Sequence, residues 1–449
     1  MIRALVLFFI IAVVSLGFVW VANQPGNVTM VWLDHRIDMA VSRLIAGVAI
    51  LSVGLAVVWR TFGTVRSVVA RTGSARVERR RHRGYKALTR GFVAVAAGDV
   101  DEASKQAERA DVLLADPPLT MLLSAQAAQL SGDQRAAQKY FVAMLDRPDT
   151  AFLGLRGLIN QALRDHNRDE ALMLARRAYR LRPKTPWLVA MLSELLSQTG
   201  LWAEAAAVLH AAARHRTLPD SRQREAVALF GQSQRAQIEG RPGESLDLLR
   251  RAHKLSPDNV PIAAKLASVF ADQGKRRRAR KILEAAWAQA PHPDLARAFA
   301  ALAPGEEPLA RLQRSAILVK LRPEHPETHI AVAEAALDAQ LWGEARRHLR
   351  LALLAPNPGR RVFRLMATLE EKESEESPAA RQWLAKAAET GPDPAWVCRR
   401  CAASVPDWQP LCPACDAFDE LAWTSPARPT LGSPANPVAS AVPFSPGHA

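Results

Sequence analysis

The chain has 449 residues, with 59 Lys and Arg against 44 Asp and Glu, a formal net charge of +15. Hydrophobic residues make up 49% but aromatic residues only 6%, and Ala and Leu dominate, which favours helix over strand. The four cysteines are too few for a disulfide scaffold of this length, and no G-x-G-x-x-G, Walker or H-E-x-x-H pattern supports a nucleotide-dependent enzyme or a metalloprotease.

In chain order, residues 1–60 read as a membrane anchor. Ala4 to Ala22 is a run of 19 residues without a charge, enough to cross about 30 Å of hydrocarbon as a helix. Bulky Trp20 at a position that signal peptidase requires to be small argues against cleavage after Ala22. A second span, about 39–59, has Arg43 as its one charge, placed where it can snorkel to the interface. Trp20, Trp32 and Trp59 fall near the expected water interfaces. Between the spans, the loop 23–38 carries one Arg, and its Asn27–Leu33 stretch alternates as a small extended ribbon.

Residues 60–90 carry ten basic residues against Glu78 alone. The positive-inside rule therefore puts both ends in the cytoplasm and the short loop outside. The juxtamembrane segment 61–83 includes Arg79, Arg80, Arg81 and Arg83, a cluster expected to face anionic lipid. Most of the excess charge sits beside the membrane, which speaks against a nucleic-acid partner.

From 84 to 393 the chain repeats. Gly98, Gly132, His166 and Gly200 are each 34 residues apart, and a small residue follows five positions later: Ala103, Ala137, Ala171 and Ala205. The register slips by six, which suggests a longer loop near Thr217–Arg222, and resumes at Gly240 and Gly274 with Ser245 and Ala279. Further units lie at Gln340/Ala345 and Ala380/Ala387, and Pro183, Pro257, Pro291, Pro323 and Pro392 close units because proline cannot continue a helix. The period resembles the tetratricopeptide repeat: eight to nine helix pairs, degenerate around 295–325, with a concave face suited to protein partners. The scattered histidines, His325 and His329 included, read as ordinary polar residues, and the basic run 275–281 as a solvated face.

The most specific motif is C-terminal. Cys398-x2-Cys401 and Cys412-x2-Cys415 are two knuckles separated by ten residues, the spacing of a four-thiolate site in a small ribbon spanning 394–423, with Trp396, Trp408 and Trp423 as its core. A full thiolate shell points to structural zinc, with iron sharing the same ligand set. Residues 424–449 are rich in Pro, Ser and Ala and read as a disordered tail.

The expected fold is thus all-α: two transmembrane helices, a tetratricopeptide-like solenoid and a small C-terminal zinc ribbon. The run IRALVLFFIIAVV, the loop N-x-T-M-V-W-L and the first repeats, GDVDEASKQAERA and GDQRAAQKYF, resemble the HemY family of bacterial inner-membrane proteins. That resemblance covers about 1–390 and implies an association with haem biosynthesis with no established chemistry; no motif brings together a catalytic acid, base or nucleophile, so a non-enzyme is expected. It does not extend to the flavin-dependent protoporphyrinogen oxidase of the same name, whose dinucleotide fingerprint is lacking. The four-cysteine end is similar to the rubredoxin-type module of LapB-like adaptors, which present a client enzyme to a membrane protease. The resemblance to HemY implies a scaffold for cytoplasmic or membrane proteins in the inner membrane, with the large C-terminal region in the cytoplasm.

Overall fold

The computed structural model describes residues 27–32, 35–114, 117–374 and 378–426, with scattered positions between 8 and 23. The expected tail lies, from 427 on, outside the described residues. Of the first expected span only scattered helical positions such as Phe8, Leu16 and Trp20 are described, so its extent also lies outside them. The chain divides into two compact units, 1–137 and 138–449.

In the first unit, strands β1 (Asn27–Trp32) and β2 (His35–Ala40) pair antiparallel, from Asn27↔Ala40 to Trp32↔His35. The extended ribbon expected at 27–33 is therefore a hairpin, and its second strand takes Met39 and Ala40, which the sequence reading had given to the second span. Helix α1 (Val41–Ala97) then runs 57 residues, roughly 85 Å at 1.5 Å per residue. Its apolar stretch Leu44–Thr61, with mean hydropathy 1.9, is the one helical segment among the described residues long and apolar enough to cross a membrane. The sequence suggested three segments (span, basic linker, first repeat), but no break separates them, because 61–83 contains no Pro and its Arg, Ala and Val residues all tolerate helix. The end of α1 packs on α2 (Val100–Leu113) and α3 (Pro117–Leu130) around Ala87, Ala103, Ala110 and Leu123. Gly91 lets α1 approach α3: a Cβ there would lie 2.5 Å from Leu123 Cδ2.

The remaining helices continue as pairs: α4 (Gln134–Met144), α5 (Pro148–Arg164), α6 (Arg168–Leu181), α7 (Pro186–Gln198), α8 (Trp202–His215), α9 (Ser221–Ile238), α10 (Pro242–Leu255), α11 (Val260–Asp272) and α12 (Arg276–Gln289). There follow α13 (Pro293–Ala300), α14 (Pro308–Leu321), α15 (Pro326–Asp338), α16 (Trp342–Leu353), α17 (Arg360–Glu373) and α18 (Pro378–Glu389). This is a tetratricopeptide-like array. Every turn residue found by periodicity adopts the left-handed conformation that ends a helix, glycine or not: Gly98, Gly132, Gly200, Gly240 and Gly274 at φ 72–80°, His166 at 55° and Gln340 at 57°. The small residues five positions later, Ala103, Ala137, Ala171, Ala205, Ser245, Ala279 and Ala345, are all buried where paired helices cross.

The six-residue slip has a different origin from the expected loop. The connection into α9 is one residue longer than the one into α11, and α9 is 18 residues against 13 for α11. Five of the six extra residues are helix. The degenerate region is also a helix pair, with a first helix, α13, of only 8 residues before Gly305 at φ 77°.

After α18 the chain forms a three-stranded sheet in the order β4-β3-β5, from β3 (Ala395–Cys398), β4 (Ser404–Val405) and β5 (Leu421–Thr424). β3 pairs antiparallel with β5 from Ala395↔Thr424 to Cys398↔Leu421.

Candidate metal centre and the face that carries it

The two knuckles have the same backbone wiring. In the first, Cys398 N–H donates to Ala403 O (2.9 Å) and Ala402 N–H to Cys398 O (2.9 Å); in the second, Cys412 N–H donates to Ala417 O (3.0 Å) and Asp416 N–H to Cys412 O (2.8 Å). The fifth residue of each turns left-handed, Ala402 at φ 57° and Asp416 at 54°. Each loop thereby turns both of its sulfurs to one side, and the two loops face each other.

Cys398 Sγ lies 3.7 Å from Cys415 Sγ and Cys401 Sγ 3.7 Å from Cys412 Sγ, and all four lie within 4.8 Å of one another. A disulfide needs about 2.05 Å, so the thiols are free. A tetrahedral ion with four thiolates at about 2.3 Å sets its sulfurs roughly 3.8 Å apart, so the donor set fits one such ion. Backbone N–H groups also reach the sulfurs: those of Arg400 and Cys401 to Cys398, Ala403 to Cys401 and Ala417 to Cys415. Burial pushes the Cys398 and Cys415 thiols up. At Cys401 burial pushes the same way, but the Ala403 N–H and the neighbouring sulfurs outweigh it and hold the thiol below its usual value.

The ribbon has a small core of its own, with Trp396, Val405, Ala417 and Leu421 buried around Cys398 and Cys412. The three tryptophans expected as its own core also seat it on the repeats, together with Phe418. Phe418, 1% exposed, lies 6.2 Å from the Trp202 ring at the start of α8, and the Arg224 guanidinium lies 5.2 Å over its other side. Trp408 meets Phe230 of α9 edge-on at 5.3 Å. His292, just before α13, packs against both Trp396 (5.2 Å) and Trp423 (4.3 Å), which also touch each other at 5.3 Å, and Trp396 Nε1 donates to Asp294 Oδ2 at 3.2 Å.

Polar contacts frame these rings. Arg168 Nη2 meets Asp416 Oδ2 at 2.9 Å, Gln198 Nε2 donates to Asp416 O at 3.0 Å, and Arg400 pairs with Glu194. Burial drives the His292 imidazole down to about 4 against the pull of Asp294, with Arg297 and Arg361 adding to the shift. Burial raises the Asp419 carboxyl to about 6 against Arg224. Sequence marks none of these seat residues on the repeats as a partner of the ribbon, because each touches a ribbon residue 100 to 250 positions away.

The other expected site residues are scattered. Arg79, Arg80, Arg81 and Arg83 are exposed on α1; Arg80 Nη2 donates to Val112 O at 2.7 Å and Arg81 lies 5.6 Å over Tyr85. His325 caps α15 through its Nδ1, which accepts from Glu327 N–H at 3.2 Å, while buried His329 pairs with His348 at 3.0 Å, so the two do not share a site.

Comparison with known proteins adds the following. Residues 26–132 match the family model of the HemY protein N-terminus, and 236–303 match a tetratricopeptide repeat. The chain is 29% identical to the probable magnetosome protein Mms48 of Magnetospirillum gryphiswaldense, over 94% of each chain. Among solved structures, Naa15/Naa10 bound to HypK-THB aligns with 68% of this chain at 16% identity and TM-score 0.40, and this chain spans about half of its length, 51%. A tetratricopeptide repeat protein from Parabacteroides merdae aligns with 54% of this chain and 93% of its own, at 13% identity and TM-score 0.27. MamA from Desulfovibrio magneticus aligns with 36% and 93%, at 16% identity and TM-score 0.25. The chain therefore joins a region that matches the HemY N-terminus model to tetratricopeptide-like repeats and a four-cysteine ribbon.

Proposed function

We propose that this protein is a scaffold of the bacterial inner membrane, anchored by two N-terminal spans, that gathers cytoplasmic or membrane proteins on its repeat array. The observation that carries this reading is the pairing of a HemY N-terminal domain with an apolar helical stretch, Leu44–Thr61, on one unbroken helix with the first repeat. The charge asymmetry supports a cytoplasmic array. In this reading the protein is not an enzyme: the repeats supply surface, and the four cysteines hold a structural zinc, or iron, that keeps the ribbon in place. An association with haem biosynthesis follows from the HemY resemblance alone.

The lipid part of the reading is narrowed by geometry. Arg79 lies 18 residues past Thr61, so a helix standing upright carries the 79–83 cluster about 27 Å beyond the span, some three Debye lengths at physiological salt. In this reading Arg60, at the end of the apolar stretch, lies nearer the anionic headgroups, and the 79–83 cluster reaches them when the helix leans onto the surface.

Two further readings have a specific observation behind them. The four-cysteine ribbon favours a LapB-like adaptor that presents a client enzyme to a membrane protease. The likeness to Mms48 along nearly the whole chain favours a scaffold on a magnetosome-type membrane. Purification of the tagged protein from detergent-solubilised membranes, with mass spectrometry of co-eluting chains, tests all three when combined with deletion of the gene. A scaffold changes where its partners reside, whereas an adaptor changes how much client persists. Absence of any stoichiometric protein partner would count against the proposal.

A further inference from the structure

The second unit holds a cleft of about 1150 Å³ where α13, α15 and α17 meet the segment leading into the ribbon. An open groove of this size has room for a stretch of polypeptide. Ile330, Val362, Phe363 and Trp423 give it an apolar wall, and Pro326, Pro358 and Pro392 line its rim.

Its charge is one-sided. Asp294, Glu327, Glu334 and Asp393 line it, against Arg297 and Arg361. Both guanidinium groups are already engaged: Arg297 with Asp294, and Arg361 with Glu327 at 2.8 Å and Glu334 at 2.6 Å. Asp393 Oδ1 accepts the Arg361 backbone N–H at 2.8 Å. Burial and Arg322 hold the His325 imidazole below its usual value, so it adds no cation at neutral pH. Burial raises the Glu327 carboxyl to about 7 even with Arg361 beside it, and a second cation would favour its ionised form.

The chain itself runs along this cleft as it leaves the ribbon, with Trp423, Ser425 and Pro426 lining it. The 23 residues that follow contain five prolines, no Asp or Glu, and one Arg, Arg428. Arg428 is two residues past Pro426, within about 7 Å of chain reach of the cleft wall. A tether this short keeps the segment at an effective concentration on the order of millimolar, and proline-rich segments dock in aromatic-lined grooves at low entropic cost.

We propose that the C-terminal segment 427–449 is the resident occupant of this cleft, held by Arg428 against the carboxylates and by its prolines and apolar residues against the Phe363–Trp423 wall. The proposal is independent of which proteins the array gathers.

The test uses a fluorescein-labelled peptide of residues 427–449 and two detergent-solubilised proteins, the full chain and a chain ended after Pro426, which keeps every described residue of the cleft. Fluorescence anisotropy should show saturable one-to-one binding to the shortened chain and at least tenfold weaker binding to the full chain, whose own segment competes. A peptide carrying Arg428→Glu should bind the shortened chain at least tenfold more weakly. Equal binding to both proteins would show the cleft open to segments from other chains and overturn the proposal. So would no binding to the shortened chain, or an Arg428→Glu peptide that binds as well as the native one.

Discussion

Arg168 and Asp416 are 248 residues apart in sequence and 2.9 Å apart in space. Arg168 opens the second helix of a repeat, and Asp416 is the left-handed residue of the second cysteine knuckle. The pair marks one edge of the seat that joins the ribbon to the repeats, and the strength of that seat is divided unequally among its contacts.

Both side chains of that pair are about half exposed, so Arg168→Ala should cost no more than about 1 kcal/mol. Phe418→Ala removes a fully buried ring between Trp202 and Arg224 and should cost about 3–5 kcal/mol. Chemical denaturation of the two variants, followed by Trp fluorescence, separates them. An Arg168→Ala loss as large as that of Phe418→Ala would mean that charge, not packing, holds the ribbon.

The helix-ending turns predict a pair of opposite signs. Gly274 has φ 76° and open space around its Cα, so Gly274→Ala meets only the backbone penalty, about 1 kcal/mol. Gln340 already bears that penalty at φ 57°, and Gln340→Gly should stabilise the chain by several tenths of a kcal/mol. Thermal unfolding midpoints should move in opposite directions.

These turns were legible from sequence because the array is local: the 34-residue spacing reports contacts between neighbours in the chain. His166 could be placed by period, and Gln340 by the small residue five positions on, even though neither is glycine. The four cysteines were legible for the same reason, each knuckle being a five-residue loop. The continuity of α1 was not, since a change in composition from apolar to basic at Arg60 looks like a boundary while the backbone passes through it unchanged. The ribbon seat was hidden too. Nothing about His292, Phe230 or Gln198 in sequence marks them as partners of residues more than a hundred positions later.

His292 predicts a pH dependence of the seat. Its pKa is lowered from 6.5 to about 4 in the docked state, so the undocked state binds the proton first as pH falls. The stability it contributes is full above pH 6.5 and is lost as pH falls toward 4, by at most about 3 kcal/mol. Asp294, Arg297 and Arg361 face the ring, and their net effect is contained in that shift. His292→Phe should keep the Trp396 and Trp423 contacts and flatten the stability profile between pH 6.5 and 4.5. An unchanged profile would place the titration elsewhere.

The proposed membrane orientation rests on the basic stretch after the span. A reporter fused after residue 90 should be active only if it is one that works in the cytoplasm. An alkaline phosphatase fusion active at that position would reverse the topology and expose the four thiols to an oxidising compartment.

The metal prediction also changes with the seat. Four of the ribbon's five ring–ring contacts are with the repeats, so an isolated 394–423 peptide should bind one zinc per chain yet remain less ordered than the same segment in the whole protein. Cys412→Ser should release the metal from the full chain and uncover the Trp202, Phe230 and His292 surfaces, while the helices keep their own buried cores. Metal analysis and circular dichroism read these outcomes separately.

Hydrogen–deuterium exchange on the full chain, with and without a strong chelator under reducing conditions, tests most directly whether a metal-held ribbon is part of the repeat surface. Removal of the metal should raise exchange in the ribbon and also in the helix ends beneath it, around 194–202, 221–231 and 292–297. Faster exchange confined to 395–424, or no change at all on chelation, would contradict the account.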